Sequence, residues 1–197
     1  MLIAGLVFIA GAFFGPLALT APASGLTIAV VRPDPVQTRP AADAPVPPPA
    51  DLNIERLSVP RLGLDAPVAV RGISAAGVME DPHGPVEVAW YSVLSKPNRP
   101  GNLVLAGHRD YAGFGPAVFW RLRELAPGDE LRVTLSGGSS VTYRVTSVAS
   151  YPANNAPVGD IVGQTPTQTL TLLTCEGAFD SKTHQYDKRF VVKAKRV

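Results

Sequence analysis

The segment Thr169-Leu170-Thr171-Leu172-Leu173-Thr174-Cys175 is the most hydrophobic of the candidate strands in this chain. Successive side chains of a strand point to opposite faces, so Leu170 and Leu172 share one face, which we assign to the core. Leu173 and Cys175 then lie on the other face. The single cysteine of the chain is thus predicted at a strand end, directed away from the core. That position suits a reactive group, although a lone cysteine is also well explained as a small buried hydrophobic residue.

Short apolar or alternating runs, broken by Gly, Pro, Asn and Asp, surround this strand and are typical of a β protein. Seven strands are predicted, at Leu52–Val59, Ala66–Arg71, Asn102–Ala106, Glu130–Leu135, Val141–Ser150, Thr169–Thr174 and Arg189–Lys195. Many short strands with one or two short helices favour a closed barrel over a parallel sheet flanked by helices. We therefore predict a mainly β fold.

Two connections between these elements can be predicted from local sequence. Ser136-Gly137-Gly138-Ser139 has the composition of a tight turn and should join two strands as a hairpin. A short helix is predicted over Pro116–Leu125, because Val118, Leu122 and Leu125 share one helical face and a glycine follows.

The composition limits the classes of function that fit. The 197 residues suit one domain with appendages, and 46% hydrophobic with 17% charged residues exclude global disorder. The formal net charge of +2 does not support nucleic-acid binding. One cysteine excludes an internal disulfide and a multi-cysteine zinc cluster. We expect no metal and no other cofactor.

The N-terminal segment, residues 1–24, is predicted to be a membrane anchor or a signal segment. No charged side chain occurs before Arg32, and Leu2 to Leu19 are uncharged and mostly apolar, close to the length that crosses a bilayer. Ala21-Pro22-Ala23 resembles a signal-peptide cleavage site, but a basic region before the apolar run is missing. A retained single-pass anchor is favoured over a cleaved signal, and a buried helix is the third alternative.

Residues 25–50 are predicted to be an extracellular linker. Eight prolines occur between Pro22 and Pro49, a composition that forms extended polyproline spacers rather than packed cores. Residues 51–197 then form the folded domain, held outside the cytoplasm at a distance from the membrane.

Two further residues could act with Cys175. His108 follows the predicted strand Asn102–Ala106, and an imidazole can hold or pass the proton that a cysteine nucleophile and its leaving amine require. Arg189 opens the last strand, where Phe190 and Val192 alternate onto the core face. Arg189 should therefore face the same side as Cys175, where a permanent cation could stabilise an oxyanion.

Together these residues carry a resemblance to the sortases. Leu105-Ala106-Gly107-His108-Arg109, Thr171-Leu172-Leu173-Thr174-Cys175 and Arg189-Phe190-Val191-Val192 resemble the three signature motifs of that family. The likeness runs from about Arg56 to the C-terminus. Gly115-Pro116-Ala117-Val118-Phe119 and the following Gly128-Asp129 are most similar to class F, with class E next.

The resemblance implies an eight-stranded sortase barrel, with the eighth strand expected around Ala153–Val158. It also implies a cysteine transpeptidase at a Gram-positive-type cell surface. Cys175 would attack the Thr–Gly carbonyl of an LPxTG-like sorting signal of a surface protein and form a thioester. His108 would protonate the leaving amine, and Arg189 with the backbone N–H of Glu176 would bind the oxyanion.

The resemblance implies an amine acceptor, either a peptidoglycan precursor or a pilin lysine, or water. Lys188 adjoins Arg189 and is a rival for the oxyanion role. Asp110 could orient the imidazole of His108, or be an ordinary loop carboxylate. His83 and His184 are interpreted as turn or loop residues.

Two other functions remain open from the sequence alone. One is an L,D-transpeptidase-like cell-wall enzyme, although a Ser-x-Gly-Cys motif is missing around Cys175. The other is a non-enzymatic, membrane-tethered β-barrel binding module in which Cys175 and His108 have no catalytic role.

Overall fold

The computed structural model describes residues 52–197. Its strands and helix are β1 (Ile54–Val59), β2 (Leu64–Val70), β3 (Val88–Trp90), β4 (Gly101–Gly107), β5 (Asp110–Tyr111), β6 (Gly115–Pro116), β7 (Glu130–Leu135), β8 (Ser140–Pro152), α1 (Val158–Val162), β9 (Gln168–Asp180) and β10 (Gln185–Arg196). Two 3₁₀ turns, Pro60–Leu62 and Leu122–Glu124, complete the regular structure of this part of the chain.

Eight of the strands close into a barrel in the order β1-β2-β3-β4-β9-β10-β8-β7, and β7 pairs with β1. The pairs β2–β3 and β4–β9 are parallel and the others are antiparallel. The remaining strands, β5 and β6, form a separate two-stranded sheet. The mainly β, closed barrel predicted from the strand pattern is confirmed, and so is the count of eight strands that the resemblance implied.

Two apolar clusters stabilise this part of the chain. The barrel core contains Leu170 and Leu172 of β9 together with Phe190, Val192 and Ala194 of β10, as strand alternation predicted. A second group, here called the outer cluster, covers the opposite face of β4, β9 and β10 with Val104, Ala106, Leu173, Val191 and residues from neighbouring segments. β4 and the first half of β9 are therefore buried on both faces, and this burial of apolar surface stabilises the barrel.

The position predicted for the eighth strand is wrong. Residues 153–157 form turns and irregular chain that lead into α1, and the strand that completes the barrel is β3, formed by Val88–Trp90. All three residues of β3 are buried because the strand lies between β2 and β4 and is covered on both faces. Such a strand shows no alternation of apolar and polar residues, which is the pattern by which the others were recognised.

The helix predicted over Pro116–Leu125 is also wrong in its backbone, although its apolar side chains are buried as expected. Pro116 belongs to β6, and only Leu122–Glu124 forms a 3₁₀ turn. The N–H of Val118 donates to the carbonyl of Pro85 and that of Phe119 to the carbonyl of His108, at 2.8 and 2.9 Å. These tertiary bonds replace the local ones that a helix requires.

The predicted hairpin between β7 and β8 is confirmed. Gly137 and Gly138 both have positive φ, at 89° and 83°, and the N–H of Leu135 donates to the carbonyl of Ser139 at 2.8 Å. Two consecutive positive φ angles match the twist of the flanking strands and are accessible to glycine at little cost.

The segments interpreted as an anchor (1–24) and a linker (25–50) lie outside the described residues. Within residues 52–197, no helix is long and apolar enough to span a bilayer.

Candidate active site

Cys175 and Arg189 lie directly opposite each other on β9 and β10. On its other side, β9 runs parallel to β4, with Leu173 opposite Ala106 and the Thr174 hydroxyl donating to the Gly107 carbonyl at 2.8 Å. His108 follows Gly107 directly, so the same register carries it alongside Cys175. The three residues singled out from the sequence therefore lie side by side, His108 just after β4, Cys175 within β9 and Arg189 within β10. The strand end predicted at Cys175 is wrong, because β9 continues to Asp180 in its pairing with β10.

The Cys175 side chain is half-buried and packs against the outer cluster. Burial raises the pKa of its thiol, and the negative charges of Asp81 and Asp110 act in the same direction. Arg189 and, to a smaller extent, Arg109 oppose this rise by favouring the thiolate. The thiol is consequently protonated at neutral pH in this arrangement, and its ionisation depends on the two neighbouring guanidinium groups.

Arg189 is 3% exposed, whereas its neighbour Lys188 is exposed. The Nη1 of Arg189 donates to the carbonyls of Tyr186 and Lys188, both at 2.9 Å, and these bonds fix the guanidinium in place. Lys188 lies opposite Glu176 rather than opposite the cysteine. Of the two basic neighbours, it is Arg189 that shares a register position with Cys175.

His108 is half-buried, and its Nε2 lies 3.1 Å from the carbonyl oxygen of Pro82. A carbonyl only accepts, so Nε2 carries the proton in this contact. The edge of Tyr111 approaches the imidazole with the ring centroids 5.4 Å apart. The residue considered as an orienting group, Asp110, instead accepts a hydrogen bond from the Tyr186 hydroxyl.

Glu176, whose backbone N–H was considered for the oxyanion, lies opposite Lys188, and its carboxylate accepts a hydrogen bond from the Ser150 hydroxyl. The remaining histidines are exposed, as their sequence contexts indicated. The backbone N–H of His83 donates to the carboxylate of Glu87 at 2.9 Å, and His184 lies in a turn at φ 56° with its ring near Phe179.

A narrow cleft opens beside the cysteine, and one apolar groove lies next to it. The cleft is lined by Cys175 together with Arg109, Phe119, Trp120, Arg123, Thr174, Glu176 and Phe190. The groove, of about 400 Å³, is lined mainly by apolar side chains that include Leu64, Phe114 and Val118. Trp120 borders both, so the two openings meet at this residue.

Two features of the site were missed by reading the sequence. Arg109 is a neighbour of the strand-end histidine, yet its guanidinium reaches the cleft, where it contacts the rings of Trp120 and Tyr186. The chain around Pro82 reaches His108 from the long connection between β2 and β3. Arg109 had a weak signal in the sequence, since it is a cation beside a candidate catalytic residue. The contact between Pro82 and His108 is long-range, and no local pattern encodes it.

A sequence model of the sortase domain matches residues 57–197 of the chain. The chain belongs to the sortase family. Among curated proteins, sortase D of Bacillus subtilis (strain 168) is 30% identical over 141 residues, which are 72% of this chain. The match spans 62% of the length of that sortase, a little under two thirds.

Solved structures of sortases share the fold of this chain. Sortase C1 of Streptococcus agalactiae, solved in complex with MTSET, superimposes with a TM-score of 0.55 at 20% identity and covers 73% of this chain and 69% of that one. A Clostridium perfringens sortase D5 transpeptidase gives 0.54 at 21% identity, over 73% of this chain and 78% of that one. The likeness of this sortase to class F, or next to class E, stays a prediction.

Proposed function

We propose that this sortase is a cysteine transpeptidase that cleaves an LPxTG-like sorting signal between Thr and Gly. The observation that carries the proposal is the direct cross-strand position of Cys175 and Arg189 with His108 on the neighbouring strand. Membership of the sortase family and the 30% identity to a sortase D support it. Surface proteins with such a signal are the proposed acyl donors.

In the first half-reaction, the Cys175 thiolate attacks the threonine carbonyl carbon and a C–S bond forms. The oxyanion of the tetrahedral intermediate is stabilised by the charge of Arg189 and the backbone N–H of Glu176. The C–N bond then breaks, and His108 gives its proton to the departing glycine amine. The threonyl group remains as a thioester on Cys175.

In the second half-reaction, an acceptor amine attacks the thioester carbonyl and His108 takes the proton that the amine loses. The C–S bond breaks, a new amide bond forms and Cys175 leaves as the thiolate. A peptidoglycan precursor or a pilin lysine is the proposed amine, and water is the competing acceptor. The raised pKa of the Cys175 thiol makes its thiolate a minor form at rest.

The N-terminal sequence supports a single-pass protein with its catalytic domain on the outer face of the membrane. Residues 1–24 serve as the anchor in this proposal, and residues 25–50 as the spacer.

The full chain, incubated with a fluorogenic LPxTG-type peptide and a glycine amine, tests the proposed activity. We expect cleavage, a new amide product, and an acyl-enzyme. The mass of the acyl-enzyme should exceed that of the protein by the mass of the acyl fragment that ends at the threonine. A peptide that is bound but never cleaved would indicate a binding module. Acylation only by cell-wall peptides without a sorting signal would indicate an L,D-transpeptidase.

A further inference from the structure

Two arginines of the cleft beside Cys175, Arg109 and Arg123, have no contact with the substrate assigned to them in the mechanism above. The guanidinium carbon of Arg109 lies 5.0 Å from the ring centroid of Trp120 and 5.1 Å from that of Tyr186. Its Nη1 donates to the carbonyl of Gly177 at 3.3 Å. The cation is therefore held at the cleft by aromatic faces and one backbone bond, which leave most of its donors unused.

Eleven arginines lie within residues 52–197, and Arg109 and Arg123 are not among those that form a salt bridge with a carboxylate. Five others place a guanidinium nitrogen 2.6–3.2 Å from a carboxylate oxygen: Arg56, Arg61, Arg71, Arg121 and Arg144. Two carboxylates near the cleft, Asp110 and Glu176, accept hydrogen bonds from the hydroxyls of Tyr186 and Ser150 and not from these arginines. The guanidinium groups of Arg109 and Arg123 thus line the cleft without a hydrogen bond to either carboxylate.

Such a cleft has a definite consequence for the amine that resolves the thioester. A simple amine offers no acceptor group to the guanidinium groups of Arg109 and Arg123, whereas a carboxylate matches the planar donor fork of an arginine. An acceptor that carries a carboxylate near its amine gains this contact.

We infer that the amine acceptor of this sortase carries a free carboxylate close to the reacting amine, and that Arg109 and Arg123 bind this carboxylate. This inference rests on the proposed function and names the chemical class of its second substrate. Trp120 contacts Arg109 and borders the cleft. In this inference its ring covers the carbon atoms of the acceptor that join the amine to the carboxylate. Arg109 and Arg123 then determine acceptor specificity and leave the choice of sorting signal unchanged.

The test measures how the acyl-enzyme of the full chain partitions between two acceptors, glycine and glycinamide, at fixed pH and ionic strength. The wild type is expected to favour glycine. In Arg109→Gln and Arg123→Gln, the ratio of kcat/KM for glycine to that for glycinamide should fall about 10- to 100-fold, as expected for a lost charge-assisted bond. The intrinsic reactivities of the two amines cancel in this comparison between variants.

Arg132→Gln is the matched control, because Arg132 is exposed on β7 and its removal changes the net charge equally. It should keep the wild-type ratio. Arg123 is exposed, so Arg123→Gln gives the answer even if Arg109→Gln does not fold. If Arg123→Gln formed the acyl-enzyme normally but kept the wild-type ratio of kcat/KM for glycine to that for glycinamide, this inference would be overturned and the proposed function would stand. A wild type that forms no acyl-enzyme would overturn the proposed function and the inference with it.

Discussion

Cys175 and Arg189 occupy directly opposed positions in the β9–β10 ladder, so the thiol and the guanidinium are neighbours through backbone register rather than through a flexible loop. Arg189 is nearly inaccessible and is held by two backbone carbonyls, whereas Cys175 keeps partial exposure. A fixed cation beside an accessible thiol favours the anionic form of that thiol and of any oxyanion built on it.

Replacing Cys175 with alanine should abolish both peptide cleavage and acyl-enzyme formation while the barrel stays folded. The chain has no second cysteine that could substitute as the nucleophile. The free energy of unfolding should fall by less than about 2 kcal/mol, since only one half-buried sulfur is lost. Turnover, intact mass and thermal melting check this, and residual thioester in the variant would exclude the cysteine mechanism.

Arg189 and Lys188 should differ sharply when each is replaced by alanine. Loss of one oxyanion donor lowers kcat by about 10²–10³, and we expect that loss for Arg189→Ala. Arg189→Lys should recover little, because Nη1 of the guanidinium donates to two backbone carbonyls and the group has further nitrogens for an oxyanion, whereas lysine has a single nitrogen.

Lys188→Ala, an exposed change, should alter kcat by less than about threefold. All three kcat values are measured on one peptide at one pH, with thermal melts to confirm folding. A greater loss from Lys188→Ala than from Arg189→Ala would contradict the assignment of the oxyanion residue.

The relation between Cys175 and Arg189 could be predicted from the sequence because it depends only on strand alternation. Leu170 and Leu172 mark the core face of β9, Phe190 and Val192 mark that of β10, and both faces are as predicted. The approach of Pro82 to His108 joins residues 26 positions apart through a connection without periodicity, so no local pattern could reveal it.

The segment 116–125 shows a different limit of sequence reasoning. The spacing of its apolar residues reports burial correctly, since Leu122 and Leu125 are in the barrel core. The same spacing does not report backbone conformation, because the N–H groups of Val118 and Phe119 bond to distant carbonyls. β3 shows a related limit, since three residues buried on both faces carry no periodic signal.

Gly107 should not tolerate a methyl group, and the reason is contact rather than backbone freedom. A Cβ at this position would lie 2.6 Å from a ring carbon of Phe119 and 2.8 Å from a methyl of Val118. Gly107→Ala should lower the free energy of unfolding by about 1–3 kcal/mol and displace His108, so that kcat falls as well. In α1, a Cβ added at Gly159 would have no atom within 4 Å. Gly159→Ala should therefore leave kcat unchanged and leave the free energy of unfolding unchanged or slightly raised.

Urea unfolding and peptide turnover of these two variants test the expectation. If Gly107→Ala were as stable and active as Gly159→Ala, the close packing of Phe119 against β4 would not be required to position the histidine.

The N-terminal segment is expected to stay attached and to hold the enzyme in the membrane. Residues 1–31 carry no charged side chain, and Leu2 to Leu19 are close to the length that crosses a bilayer. Fractionation of the native host should recover the intact chain with the membranes. Mature protein that begins near Ser24 in the culture medium would contradict retention of the anchor.

The pKa of the Cys175 thiol should rise when a neighbouring cation is removed and fall when a neighbouring anion is removed. Burial holds the pKa of the thiol above its ordinary value, so alkylation by iodoacetamide should reach half its maximal rate at higher pH than for a free thiol such as glutathione. Arg189→Gln removes a charge that stabilises the thiolate and should move this midpoint to still higher pH. Asp110→Asn removes a charge that opposes the thiolate and should move it lower.

At pH 7, below all these midpoints, the alkylation rate should change about tenfold for each pH unit by which the midpoint moves. Cys175 is the only cysteine, so the modified mass reports this site alone. Arg132→Gln is exposed on β7 and should leave the curve in place, which controls for net charge. If Arg189→Gln lowered the midpoint, or moved it no more than Arg132→Gln does, Arg189 would not stabilise the thiolate, and its share in the proposed mechanism would have to be confined to the oxyanion.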